Sequence, residues 1–107
     1  MKRLSVFCAS AEGKDPIYME KAFEVGAALA KHNIGLVYGG ASVGCMGAVA
    51  KGSLSQGGEV IGVLPQFLNK REIAAFDLTE LIMVDSMHER KLKMNQLSDG
   101  NITIPGG

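Results

Sequence analysis

Short apolar runs alternate with stretches of helical spacing along the whole chain. The first run, Leu4 to Ala9, reads as a buried strand, and Asp15-Pro16 then supplies an N-cap and a first-turn proline for a helix. In that helix Ile17, Phe23, Leu29 and Ala30 recur on one side, which predicts an inward stripe. Lys31-His32-Asn33 closes it with a cationic last turn and an asparagine suited to a left-handed exit. A second strand is expected at Ile34 to Tyr38. The segment Gly39 to Gly47 then feeds an Ala/Gly/Ser-rich helix ending near Gln56-Gly57-Gly58, whose small residues allow close helix–sheet contact. Glu59 to Leu64 predicts a third strand stopped by Pro65, followed by a mixed loop with a helical turn around Lys70 to Ala74. Glu80 to Val84 predicts a fourth strand, Met87 to Leu97 a helix, and Asn101 to Ile104 a fifth strand.

This alternation predicts an α/β fold, a Rossmann-like, doubly wound parallel sheet with about five strands, in one domain over residues 1–107. No internal repeat, linker or low-complexity tract interrupts it. In such sheets ligands bind outside the carboxyl ends of the strands, where strand order reverses. Ala9-Ser10, Gly39-Gly40, Pro65, Ser86 and Pro105-Gly106-Gly107 all follow a strand directly, so they are expected along one edge. A strand running into Pro-Gly-Gly normally opens a phosphate-binding loop that a following helix completes. Residues 1–107 are therefore expected to be the N-terminal part of a larger domain whose C-terminal strands are missing. The fifth strand is then left at an uncovered edge that seeks a partner.

Composition narrows the function. Eleven basic residues balance eleven acidic ones, so no net field draws the chain to nucleic acid or an anionic membrane surface. Anion binding must come from local groups. Hydrophobic content of 47% and a mean hydropathy of +0.15 suit one globular core. Cys8 and Cys45 are too few for a disulfide framework and lack metal-ligand spacing, which favours a reducing compartment. The start, Met1-Lys2-Arg3 before a short apolar run and Ala9-Ser10-Ala11, imitates a signal peptide, but the run reads better as a buried strand. No apolar run approaches the roughly 20 residues of a membrane span, and the expected location is the cytoplasm.

Two constellations can carry chemistry. In the first, Ser42-x-Gly44-x-x-Gly47 nearly matches the dinucleotide fingerprint, with serine for the first glycine. The following strand ends in Leu-Pro-Gln and offers no acid for a ribose hydroxyl, so the requirements for NAD are not met. Gly39, Gly40, Gly44 and Gly47 thus either let the backbone approach a phosphate or serve a tight turn and close packing. A Walker loop is excluded because no Gly-Lys-Ser/Thr triplet occurs. In the second constellation, Ser86-Met87-His88-Glu89 is a capping box that fixes where Arg90 and Lys91 point. At about 100° per residue, Met87, Met94 and Leu97 form the inward stripe, and Arg90 and Lys91 flank it beside the ligand edge. Two cations there call for an anion. His88 falls off the stripe and reads as surface, and Glu72, taken alone, as a solvated loop carboxylate.

Met87-His88-Glu89-Arg90-Lys91-x-x-Met94, the later Ser98-Asp99, Pro105-Gly106-Gly107, the glycine loop from Gly39 and Arg71-Glu72-Ile73 together resemble the Lonely Guy family of cytokinin riboside 5′-monophosphate phosphoribohydrolases. The resemblance covers the whole chain. It implies hydrolysis of the N-glycosidic bond of AMP or an N6-modified relative, giving free base and ribose 5-phosphate in an AMP-nucleosidase-like reaction. It implies Arg90 as the catalytic arginine, with Lys91 and Glu72 in substrate binding, Gly106 and Gly107 opening the phosphate loop, and Ser10 and the glycines 39, 40, 44 and 47 at the substrate edge. It implies a homodimer acting on a small-molecule nucleotide, with neither metal nor cofactor. An older label of lysine decarboxylase attached to some relatives is set aside, since nothing marks a pyridoxal phosphate site. In the family, Pro-Gly-Gly continues as x-Gly-Thr-x-x-Glu, and that glutamate is the catalytic carboxylate. Residues 1–107 alone are therefore expected to bind a nucleotide weakly and turn it over negligibly. Arg90→Ala is expected to abolish base release and leave the fold intact. The competing reading is a non-catalytic nucleotide or molybdenum-cofactor carrier on the same fold.

Overall fold

Among the described residues five strands and four helices follow one another in the expected alternation. The structure, a computed structural model, describes residues 2–8, 16–72, 75 and 77–104, with the backbone alone for residues 71 and 72. Strand β1 is Arg3–Phe7, helix α1 Ile17–Lys31, β2 Gly35–Tyr38, α2 Gly44–Ser55 and β3 Val60–Pro65. A 3₁₀ turn at Gln66–Leu68 leads into the short helix α3, Asn69–Glu72; then come β4, Glu80–Val84, α4, Met87–Leu97, and β5, Gly100–Thr103. Asn33 takes the left-handed conformation expected of it, with φ of 58°. Asp15, the expected cap of α1, lies outside the described residues, and Pro16 directly precedes the first helical residue.

All five strands are parallel, in the order β4-β3-β2-β1-β5. The chain steps outward from β1 to β4 and then returns past β1 to lay down β5. Strand order therefore reverses between β1 and β5, and a crevice is expected at their carboxyl ends. Successive side chains of a strand face opposite sides. Leu36 and Tyr38 enter the core shared with α1 and α2, whereas Val37 faces the second core, which Met94 of α4 fills with Ile61, Val63 and Val84. Two covered faces make the sheet doubly wound. Among the described residues β5 pairs only with β1 and forms the sheet edge.

Two local expectations are corrected. Pro65 does not stop β3 but is its last residue, paired in register with Val84 of β4 and fully buried. A proline is tolerated at a strand end, where the ladder no longer needs its N–H. Ile17 and Phe23 are 43% and 41% exposed, and α1 instead buries Ala22, Gly26 and Leu29. The reason lies in α2. A Cβ on Gly26 would collide with the Val49 carbonyl, and one on Gly52 with the Phe23 carbonyl, so the small residues serve contact between the helices as well as with the sheet. The close crossing turns Phe23 outward. At the far, amino end of the sheet, Arg3 grips Glu59 with two hydrogen bonds of 2.7 and 3.1 Å, and its own N–H donates to Asp99 at 3.0 Å.

Candidate active site

Helix α4 is positioned by its cap. Ser86 is extended, and its Oγ accepts the Glu89 N–H at 3.1 Å, which satisfies one donor of the first turn as the capping box requires. That start turns Arg90 toward the sheet. Arg90 is only 7% exposed, its Nε donating to the Val63 carbonyl at 3.0 Å and its Nη2 to the Gly39 carbonyl at 2.5 Å. Two thioethers complete the surroundings, Met46 Sδ 3.7 Å from Nη2 and Met87 Sδ 3.9 Å from Nη1. The expected flanking position for Arg90 is thus corrected: with Met94 it is the inward residue, while Met87 is 51% exposed. Burial of the charge is tolerated because the carbonyl of Val63, within β3, and that of Gly39, just after β2, accept hydrogen bonds from it. Gly39 explains the fit, since a Cβ there would collide with the guanidinium and with the Met46 sulfur. The same bonds imply that Arg90→Ala costs stability as well as any role in the cleft.

Beside this guanidinium opens a cleft of about 430 Å³, walled by Val6, Phe7 and Cys8 at the end of β1, Gly39, Met46 of α2, and Met87, His88, Lys91 and Met94 of α4. It lies at the carboxyl end of β1, beside the point where strand order reverses, and is large enough for a small-molecule ligand. Its chemistry is uneven. Val6, Phe7, Met46, Met87 and Met94 supply apolar surface, and α4 also contributes an imidazole, a guanidinium and an ammonium. No carboxylate stands among the described lining residues. Burial, with a smaller contribution from nearby Cys45, pushes the Cys8 thiol up to about 12, so it is no nucleophile at neutral pH.

Residues 46–107, more than half of the chain, match the family model described as possible lysine decarboxylase. Over 106 residues the chain is 46% identical to a probable cytokinin riboside 5′-monophosphate phosphoribohydrolase of Oryza sativa subsp. japonica. It is 44% identical to a cytokinin riboside 5′-monophosphate phosphoribohydrolase of Arabidopsis thaliana. The chain belongs to the Lonely Guy family. Each alignment takes in 99% of this chain but 43% and 49% of the relatives' lengths, so the chain spans about half of the curated relatives it matches. Among solved structures, the molybdenum cofactor binding protein of Rippkaea orientalis superposes with a TM-score of 0.82 at 24% identity, covering 99% of this chain and 63% of that one, which shows the shared fold. A molybdenum cofactor carrier protein of Chlamydomonas reinhardtii superposes at 0.79 and 25% identity, with the same coverage.

Of the positions that the Lonely Guy pattern marks, the structure brings Gly39, Arg90 and Lys91 together in the cleft. Gly40 turns the other way. Its φ of 81° belongs to the left-handed region, and the space a Cβ would need is taken by Leu64 and Leu81. Gly44, at φ 61°, and Gly47 border a separate depression of about 660 Å³ between α1 and α2, with Phe23, Glu24 and Lys51. A Cβ on Gly47 would also run into the Ser42 carbonyl, so this glycine serves the tight entry into α2. Ser10, Gly106 and Gly107 lie outside the described residues, as does the side chain of Glu72, whose backbone ends α3. Sequence reasoning missed Cys8, Met46 and His88 as cleft residues. Their signal was available for two of them: Cys8 directly follows a strand, and His88 sits three residues before Lys91 on the same helix.

Proposed function

We propose that the protein hydrolyses the N-glycosidic bond of an adenosine-type 5′-monophosphate, AMP or an N6-modified relative such as a cytokinin riboside 5′-monophosphate, releasing free base and ribose 5-phosphate. One observation carries the reading: a carbonyl-anchored guanidinium, with an ammonium and an imidazole, lines a half-apolar cleft near the switch point of the sheet. The names of the curated relatives support it. In this proposal Arg90 is the catalytic arginine, Lys91 and Glu72 bind substrate, and Ser10, Gly39, Gly106 and Gly107 complete the substrate edge. Breaking the bond between C1′ and the base leaves its electron pair on the base and builds positive charge on the ribose. Nearby cations help bind the nucleotide anion, but only a carboxylate would stabilise the ribosyl cation and activate water.

The test places the full-length protein in excess over AMP and N6-isopentenyl-AMP and follows free base by chromatography. Release from either nucleotide, with none from adenosine, supports the hydrolase. Binding of both without any release over days refutes it and favours the second reading, a non-catalytic nucleotide or molybdenum-cofactor carrier. That alternative draws on the likeness to cofactor carriers and on a lining rich in anion-binding groups. We further propose a cytoplasmic homodimer. The edge strand β5, which pairs only with β1 among the described residues, supports association, and sedimentation of a stable monomer at high concentration would count against it. Among the described residues no helix is long and apolar enough to cross a membrane.

A further inference from the structure

Methionines 46, 87 and 94 all line the cleft, and they differ in depth. Met46 and Met94 are 6% and 2% exposed, whereas Met87, the first residue of α4, is 51% exposed. Met87 also touches the buried cation of the site. Its Sδ lies 3.9 Å from Arg90 Nη1, while Arg90 Nε and Nη2 are engaged by the Val63 and Gly39 carbonyls. Met46 Sδ stands 3.7 Å from Nη2, on the same guanidinium, but is buried. A thioether is a weak hydrogen-bond acceptor and an oxidisable group, so a peroxide entering the cleft meets Met87 before the other two methionines. Oxidation turns this sulfur into a sulfoxide, which places a polar acceptor oxygen beside a charged N–H donor.

We infer that Met87 is an oxidation site whose sulfoxide binds the Arg90 guanidinium and so switches off the cleft. In the reaction the Met87 sulfur attacks one oxygen of hydrogen peroxide and the O–O bond breaks. The proton of the transferred oxygen passes to the departing hydroxide, giving the sulfoxide and water; sulfur is oxidised and peroxide reduced. The new oxygen then accepts from Nη1, and the cleft exchanges an apolar side chain for a polar one. A charge-assisted bond inside the protein competes with any anionic ligand for that face of the guanidinium. The step concerns Arg90 and its neighbour alone, so it does not depend on the nucleotide reading. It is also reversible, since methionine sulfoxide reductases restore the thioether.

The experiment treats the full-length protein with graded hydrogen peroxide and measures sulfoxide at each methionine by peptide mass spectrometry. Met87 is expected to oxidise about tenfold or more faster than Met46 and Met94. The Arg90 Nε–Hε resonance should move in proportion to Met87 sulfoxide and return after reductase treatment. Base release from AMP should fall about tenfold at full conversion. Met83, 38% exposed on β4, is the control: Met83→Leu should lose activity under peroxide as the parent does, whereas Met87→Leu should keep its own untreated rate. Oxidation of Met87 no faster than of Met46, an unmoved Arg90 resonance, or a loss that persists in Met87→Leu overturns the inference. Untreated protein that releases no base removes the hydrolase reading instead, and the oxidation map and the Arg90 resonance then decide this one.

Discussion

Replacing Arg90 with alanine tests how the site is built. The change removes two charge-assisted donors from the Val63 and Gly39 carbonyls and leaves a gap bordered by Met46 and Met87. Hydrogen bonds to charged groups contribute about 1.5–3 kcal/mol each. The two sites should not cost the same. Val63 is fully buried in β3, so its carbonyl loses this bond in a region closed to water. Gly39 lines the cleft, and water entering there can satisfy part of what the guanidinium supplied. The expected destabilisation is therefore about 2–4 kcal/mol, a large fraction of the roughly 5–15 kcal/mol typical of a domain. In urea, followed by far-ultraviolet circular dichroism, the midpoint should fall by about 1–3 M with the slope unchanged. Arg90→Met keeps much of the side-chain volume without the donors, so the loss shared by the two variants reports the hydrogen bonds. A midpoint for Arg90→Ala within about 0.3 M of the parent would refute the reasoning and return Arg90 to a purely ligand-facing role.

Three further outcomes follow from the packing and the charges. Gly52→Ala should push α1 from α2, because its Cβ would meet the Phe23 carbonyl, and should lower stability by about 1–3 kcal/mol in the same denaturation assay. The hydrogen bond and charge of Arg3 hold the Glu59 carboxyl below its ordinary value of 4.5, so this pair contributes stability above that value and loses it as the pH falls through the lowered one. Glu59→Gln should accordingly be slightly less stable than the parent at pH 7 and show a flatter decline below about pH 4.5; parallel curves in acid would contradict the assignment. Cys8, with its thiol pushed up to about 12, should react with iodoacetamide at pH 8 many times more slowly than a free peptide cysteine, and a peptide-like rate measured by mass spectrometry would show that the burial is wrong.

Much of the architecture was legible in the chain because its signals are local. A two-residue or 3.6-residue period, a Ser-x-x-Glu box and an asparagine after a cationic turn act over distances that the sequence itself spans, and β4, α4 and the left-handed Asn33 appear where those signals put them. The family likewise declared itself through ordered segments rather than any single motif. What tertiary structure decided is the state of each residue whose partners are remote. Arg90 is buried because carbonyls 27 and 51 positions away converge on it, and no pattern around residue 90 encodes that convergence. Phe23 is exposed because Gly26 and Gly52 let two helices cross at backbone contact, which makes the small face of α1 the inward one despite its weaker hydrophobicity. His88 joins the cleft for the same kind of reason: β1 and α2 supply other walls of it, so a residue off the apolar stripe of its own helix still lines it. Hydrophobic period states which side of an element prefers to be dry; which polar groups share that side depends on acceptors brought in by other strands.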